Sequence, residues 1–354
     1  MRTDELDFPL PEELIALHPP AERPDSRLLA VDCAAGEWSH RRFRDWPGLL
    51  RPGDLLVLND TRVVPARLVA RKPSGGRVEA LWLEQRPDGR GLFLLSGSRL
   101  RPGTELLLAN GEYRLRLAEK TAPGRWLLED GSGLGWLRLL SEVGSTPLPP
   151  YIRSRRERAG EADDSPEDRE RYQTVFAARD GAVAAPTASL HFDGDTLERI
   201  RAGGVETAVV TLHVGEGTFL PVSAGRLEDH PMHAERFAVP PAACEALERA
   251  RARGGRVIAA GTTVCRVLES YGRDGVREGV TGLFLRPGSR FRRTDALLTN
   301  FHTPRSTLLA LVAAFAEHAG APDGLALVKR AYAAAVERRY RFYSYGDVSF
   351  WSRG

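Results

Sequence analysis

Lysine is almost missing from this chain. It stands only at 72, 120 and 329, which leaves 47 of the 50 basic residues as arginine. Arginine grips phosphate and carboxylate bidentately and stacks on bases, so the bias permits an RNA partner. A GC-rich coding sequence gives the same bias, and a net charge of +3 does not by itself call for nucleic acid. Cysteine is scarce too. Cys33, Cys244 and Cys265 lie far apart, with no CxxC pair, no zinc-ligand spacing and no disulfide framework, which fits a reducing cytosol. Long apolar runs are missing: the longest covers 308–316, far short of the ~20 residues of a membrane helix. The opening MRTDELDFPL is acidic and has no apolar signal region. The expectation is a cytoplasmic protein that makes no use of a membrane.

What remains is 354 residues, 42% of them apolar. At ~150 residues per domain that makes about two domains, with a core that needs neither metal nor disulfide. Over 65–150, short runs (ARLVA, GRVEALWLE, GLFLLSG, TELLLA, EYRLRLAE, GRWLLED) alternate with Gly, Pro and Asp turns, the texture of a small antiparallel barrel or sandwich. The flanks differ. Segments 55–58 and 208–214 read as buried strands, and 255–270 as strand, turn and helix. Segment 306–318 reads as a helix with Ser306 at its N-cap, and 325–339 has helical spacing. This predicts an α/β fold: a large α/β domain made of 1–62 and 151–354, with a small antiparallel β-barrel domain inserted over 63–150. RSRRERAGEADDSPEDRER (153–171) reads as an exposed connection, either a solvated loop or an arginine contact with a nucleic-acid backbone.

Several stretches join polar residues to sharp turns. In LNDTRVVPARL (58–68), Asn59, Asp60 and Arg62 end a strand, either as an Asx turn or as a pair that fixes a ligand group. VAAPTASLHF (183–192) brings small residues together with Thr187, Ser189 and His191, an imidazole suited to acid or base work near neutral pH. In TLHVGEGTFLPV (211–222), Gly215 and Gly217 flank Glu216. Pro221 follows too soon for a Rossmann glycine motif to open a helix, and His213 alternates with Leu212 and Val214. Gly261-Thr262-Thr263 sits between strand and helix, where free amides attract anions. Asn300, His302, Arg305 and Ser306 cluster before the last apolar helix, where open α/β sheets place ligands. His230, His233 and Glu235 lack zinc spacing. The aromatics of YRFYSYGDVSFW (340–351) either stack on bases or pack.

These blocks, in this order, resemble the S-adenosylmethionine:tRNA ribosyltransferase-isomerase family of queuosine biosynthesis. The likeness starts at DFPLPEELIALHPPAERPDSRLLAVD. It continues through LNDTRVVPARL, PLPPYIR, RYQTVFA, VAAPTASLHF, TLHVGEGTFLPV, HPMHAE, GTTVCRVLES, LLTNFHTPRSTLL and YRFYSYGD. Ser189, Glu216, Leu220, Val264 and Thr303 depart from the usual pattern. The resemblance implies an α/β domain with an inserted barrel, and an enzyme that passes the ribosyl unit of S-adenosylmethionine to an aminomethyl-deazaguanine at the wobble position of tRNA. Epoxyqueuosine in tRNA, adenine and methionine would be the products, made by a monomer with no metal and no cofactor beyond the co-substrate. Under it, His191 and His302 are acid/base candidates and Asp295 orients one of them or holds the amine. Asn59, Asp60 and Arg62 clamp ribose or the methionine tail. Thr187, His213, Gly215, Gly217, Gly261, Thr262, Thr263 and Asn300 line the substrate, and Arg153, Arg155 and Arg156 meet the anticodon arm. Two other readings stay open on residues alone: a diverged S-adenosylmethionine-binding relative with another nucleoside or RNA acceptor, and a non-catalytic RNA-binding module.

Overall fold

The computed structural model describes residues 1–215, 217 and 224–354. Among them the first strands are β1 (Arg27–Asp32), β2 (Glu37–Arg42), β3 (Leu55–Asn59), β4 (Thr61–Val63), β5 (Arg67–Arg71) and β6 (Arg77–Gln85). Next come β7 (Gly91–Ser96), β8 (Glu105–Leu108), β9 (Tyr113–Ala122), β10 (Arg125–Asp130) and β11 (Arg179–Ala182). The last are β12 (Glu206–Leu212), β13 (Glu235–Ala238), β14 (Val257–Ala260), β15 (Glu278–Thr281), β16 (Ala296–Asn300) and β17 (Val348–Ser352). The helices are α1 (Trp136–Val143), α2 (Pro150–Arg158), α3 (Pro166–Arg171), α4 (Gly194–Ala202), α5 (Pro241–Ala252), α6 (Thr262–Asp274), α7 (Thr307–His318) and α8 (Gly324–Glu337).

The chain divides into two compact units. One holds Met1–Asp60, Thr174–Ala177 and Pro186–Gly354; the other holds Thr61–Gln173 and Ala178–Ala185. The expected insert, 63–150, is thus shorter than the unit observed. That unit also takes in α2, α3 and β11, because β11 pairs in parallel with β4 and because Arg156 and Asp168 tie α2 to α3.

The first unit is built on a sheet ordered β15-β13-β12-β3-β14-β16-β17-β1-β2. Its centre, β12-β3-β14-β16, is parallel, and β17 then runs antiparallel to β16. Every residue of β3 and of β16 is buried, as a parallel strand covered on both faces requires. One face of the sheet carries Leu56, Leu58, Ile258 and Leu298 against Phe192, Leu197 and Ile200. Each large aliphatic chain taken out of water there contributes about 1.5–3 kcal/mol. Trp46 anchors the same cluster, stacked on Phe43 and edge-on to Phe192 and Phe350, with every ring centroid 5.6 Å away. The C-terminal aromatics settle as packing groups: Tyr340, Phe342, Tyr345, Phe350 and Trp351 are all buried.

The second unit contains a closed six-stranded barrel, β10-β7-β6-β5-β8-β9. Strand alternation fills it, with Val78, Ala80 and Trp82 of β6 facing Phe93, Leu106, Leu117 and Leu128. Trp136 of α1 joins that core, its ring 5.1 Å from Phe93 and its Nε1 donating to Gly89 O at 2.9 Å. A Cβ at Gly91 would come within 2.9 Å of the Trp136 ring, so glycine is needed where β7 passes under α1.

The exposed connection expected over 153–171 is instead two helices with a buried joint. Asp168 accepts from Arg156 Nη1 at 2.6 Å and Nη2 at 3.0 Å, with both side chains buried. Asp168 and Ser165 also cap α3 reciprocally. Arg153 bonds Glu79 at 2.8 Å.

Replacing Trp46 by Ala is expected to lower unfolding free energy by about 3–5 kcal/mol. The urea midpoint reads it, at unchanged m-value. A change within about 0.5 kcal/mol, the scale of surface substitutions, would mean that Trp46 does not anchor this core.

Candidate active site

The carboxyl ends of β12, β3, β14 and β16 bring the polar turns of the first unit to one edge of its sheet. Ladder hydrogen bonds stop there, so backbone and side-chain groups must find other partners or face a ligand. Asn59 at the end of β3 donates from Nδ2 to Leu212 O and accepts at Oδ1 from Leu212 N, both at 3.0 Å, and so locks the ends of β3 and β12 together. Asp60 comes next and is 7% exposed. Its Oδ1 accepts from Thr211 Oγ1 at 2.6 Å, and no arginine, lysine or histidine among the described residues pairs with it. A buried carboxylate without a counter-cation is costly unless a ligand supplies the charge.

The 3-10 segment Thr187–His191 lies against β16. His191 Nδ1 and Ser26 Oγ are 2.8 Å apart. Asn300 Nδ2 points at Asp347 O, at 3.5 Å, which orients the amide, and the same nitrogen lies 3.4 Å from His191 Nε2. Nε2 therefore carries the lone pair, and Nδ1 carries the proton given to Ser26. Burial, and after it the charges of Arg341 and Arg23, push the His191 pKa down to about 3. His302 sits one turn past β16, its Nε2 2.8 Å from Thr299 Oγ1, and burial lowers its pKa to about 3 also. Both imidazoles are neutral near pH 7, which corrects the expectation that His191 titrates there and removes both as ready-made general acids.

Gly261, with φ of 108°, lets the chain turn from β14 into α6, a conformation that strains any other residue. Thr262 and Thr263 open that helix with no side-chain cap. Asn300 Oδ1, Ser189 Oγ and Thr263 Oγ1 are buried atoms without a hydrogen-bond partner, so three polar atoms around this edge are left for a ligand. Thr187 is half-buried at the start of its turn. His213 lies just past β12 and donates its N–H to Arg236 O at 3.0 Å. Gly215 N donates to Glu235 Oε1 at 3.1 Å, and Glu235 is in turn ion-paired with Arg266. Glu235 is thus a brace for the loop after β12. A Cβ at Gly217 would come within 2.5 Å of the His233 ring. Glu216 and Leu220 lie outside the described residues. Val264, at the position of the family's usual serine, is buried in the core.

Five of the expected residues are placed elsewhere. Asp295 precedes β16, so about five residues at ~3.3 Å each separate it from Asn300. It accepts from Val257 N at 2.8 Å at the far edge of the sheet. It orients neither histidine there. Arg62 belongs to the second unit, half-exposed and 3.5 Å from Asp180. Arg153 and Arg156 are held by carboxylates of that unit, and buried Arg156 is closed to any RNA. Arg155 shares α2 with them. Sequence reading missed Ser26 and Thr299 and weighed Glu235 only as a zinc ligand; each of the three holds a named site residue. Thr299 carried a signal as a polar residue, next to Asn300, at the end of an apolar strand.

Three comparisons bear on this site. A family model described as "Queuosine biosynthesis protein" matches residues 3–351. S-adenosylmethionine:tRNA ribosyltransferase-isomerases of Rubrobacter xylanophilus and Acidithiobacillus ferrooxidans are 49% and 51% identical, each alignment covering 98% of this chain and 97% of the relative. The crystal structure of an S-adenosylmethionine tRNA ribosyltransferase from Thermotoga maritima aligns at TM-score 0.54 with 34% identity, covering 98% of this chain and 99% of that one.

A histidine whose folded pKa lies below the usual 6.5 binds its proton more weakly folded than unfolded. Its contribution to stability is complete above that value and is lost as pH falls toward about 3. The stability lost between neutral and mildly acidic pH, followed by urea unfolding, should therefore shrink in the His191→Asn, His302→Asn double variant. An equal loss in both proteins would assign the acid sensitivity to other groups.

Proposed function

The chain belongs to the queuosine biosynthesis family of S-adenosylmethionine:tRNA ribosyltransferase-isomerases, and we infer from the charge of its cleft how its residues serve that reaction. It is an enzyme that transfers and isomerises the ribosyl unit of S-adenosylmethionine onto tRNA. The diverged-relative and non-catalytic readings are not favoured. The proposed acceptor is an aminomethyl-deazaguanine at the wobble position of the anticodon arm. Its products are epoxyqueuosine in tRNA, adenine and methionine. The protein is proposed to act as a cytoplasmic monomer, with S-adenosylmethionine as co-substrate and no metal or other cofactor.

Asp60 is the observation that carries the roles. A buried carboxylate lacking a cation partner complements a sulfonium, and in a low-dielectric cleft that attraction is far larger than in water. The sulfonium acidifies the neighbouring ribose C5′ proton because positive sulfur stabilises the adjacent carbanion. A neutral imidazole is able to take that proton without first losing one, and His191, fixed at Nδ1 by Ser26, would do so at Nε2 by giving up its contact with the Asn300 amide. Asn300 Oδ1, Ser189 and Thr263 offer the hydrogen-bonding capacity that the sugar hydroxyls and the methionine tail need. The open amides at the start of α6 suit the tail's carboxylate. Holding amine, sugar and sulfonium together supplies much of the rate by orientation alone.

Free adenine, released from S-adenosylmethionine in the presence of tRNA bearing the aminomethyl base, is the assay. Asp60→Asn keeps the Thr211 hydrogen bond and removes the charge. A charged contact of about 1.5–3 kcal/mol predicts kcat/KM for S-adenosylmethionine lower by roughly 10- to 100-fold, with KM for tRNA unchanged. His191→Ala should cost about 100-fold or more in kcat if it moves the proton. Unaltered kinetics for S-adenosylmethionine in Asp60→Asn would remove Asp60 from the sulfonium seat.

A further inference from the structure

The opposite edge of the same sheet carries an arginine-lined hollow that the reaction above does not use. Residues just outside β3, β14, β16 and β17 meet there with the ends of α5 and α7 around a cavity of about 540 Å³. Six arginines line it, against a single carboxylate, Asp295. Two of the six are neutralised locally: Arg256 by Asp54 at 2.6 Å and Arg293 by Glu248 at 2.8 Å. Arg51 donates to Gly354 O, and Arg292 reaches Gly272 O at 3.4 Å. Arg251, Arg292 and Arg353 form no ion pair among the described residues, and all three are exposed.

A structural explanation covers part of this. Arg251 lies in the last turn of α5, where a cation complements the helix dipole. It does not cover Arg51, Arg292 and Arg353, which come from three loops and form no ion pair among the described residues. Like charges gathered in a concavity repel one another and focus a positive potential into it. A fork of guanidinium donors is the geometry that grips phosphate. The volume is that of a ligand site, while no Phe, Tyr or Trp lines it and its one ring, His318, is already stacked on Phe291.

We propose that this hollow seats backbone phosphates of the tRNA substrate, outside the reaction cleft. The inference rests on the tRNA-modifying reading. It also supplies what α2 does not, since Arg153 and Arg156 are engaged by carboxylates. Asp295 is at this edge, so the five-residue length of β16, about 16 Å at ~3.3 Å per residue, separates the hollow from Asn300. Phosphates held there would position the RNA body rather than the reacting base.

The test is fluorescence anisotropy of unmodified tRNA, without S-adenosylmethionine, over a range of salt. It uses the wild-type protein, R251E/R292E/R353E, the milder R251Q/R292Q/R353Q, and a charge-matched control, R114E/R116E/R138E. The control residues are exposed and carboxylate-paired on the second unit. Far-ultraviolet circular dichroism checks that each variant is folded. The expected result is at least ~10-fold weaker tRNA binding in both hollow variants, with the log–log salt slope shallower by about three, one for each arginine replaced. The control should change affinity by less than ~3-fold. In adenine release, KM for tRNA should rise in the hollow variants while kcat and KM for S-adenosylmethionine hold. Unchanged affinity and slope in R251Q/R292Q/R353Q, or an equal loss in the control, would overturn the proposal. Binding is read without chemistry. A wild-type protein that bound tRNA but released no adenine would count against the assigned reaction, while the affinities and slopes would still decide for or against the hollow.

Discussion

A buried imidazole held at both nitrogens fastens the cleft together. Ser26 precedes β1, His191 closes the 3-10 segment and Asn300 ends β16. These three come from distant parts of the chain and meet only because β16, β17 and β1 are neighbours in the sheet. The contact demands a neutral ring: a proton on Nε2 would face the Asn300 amide, itself a donor, in a site without water-like screening. Leaving any member unpartnered costs about 1–3 kcal/mol, so the position of His191 and the end of β16 are set together. Asn300 makes a further contribution by what it leaves open. Its Nδ2 is shared between His191 and Asp347, and its Oδ1 is buried and unmatched.

The two edges of the first unit's sheet have opposite electrostatic characters, and parallel topology is the reason. Helices that follow parallel strands start at the carboxyl edge and finish at the other one. The carboxyl edge therefore receives the open amides of α6, yet it also holds Asp60, a carboxylate with no cation partner among the described residues. The far edge receives the ends of α5 and α7, whose dipoles favour cations, and it gathers arginines in excess of what those dipoles explain. A sulfonium nucleoside and a phosphate backbone have opposite charges. On the proposed assignments the fold would hold the two about a strand's length apart.

How much of this could be read from the residues depended on how local the cause was. The barrel was legible because its strands alternate apolar and polar residues between Gly and Pro turns, a pattern of period two that needs no distant partner. Gly261-Thr262-Thr263 and the loop after β16 were legible because strand, turn and helix follow one another within a dozen residues. Arg156 was misread for the converse reason. Within RSRRERAGEADDSPEDRER the charges look solvated, and only the folded chain shows that Asp168, twelve residues on, draws one arginine inside. Asp295 was misplaced because closeness in sequence to Asn300 conceals a fully extended strand between them. Ser26 carried no signal at all: a serine beside an arginine and before an apolar run is most simply a cap, and its partner lies 165 residues away.

The lowered basicity of both histidines constrains the proton traffic of the reaction. An imidazole with a pKa near 3 is neutral when substrate arrives, so it does not start as an imidazolium acid. Were it to take the C5′ proton, it would become a buried cation, and burial alone would drive that proton away again. Adenine departs in the same sequence and needs a proton at its ring. Return of the abstracted proton to the departing base would satisfy both demands with a single group and no net exchange with solvent. The water-poor surroundings that weaken His191 as a base would then also make its conjugate acid a strong donor at the moment one is needed.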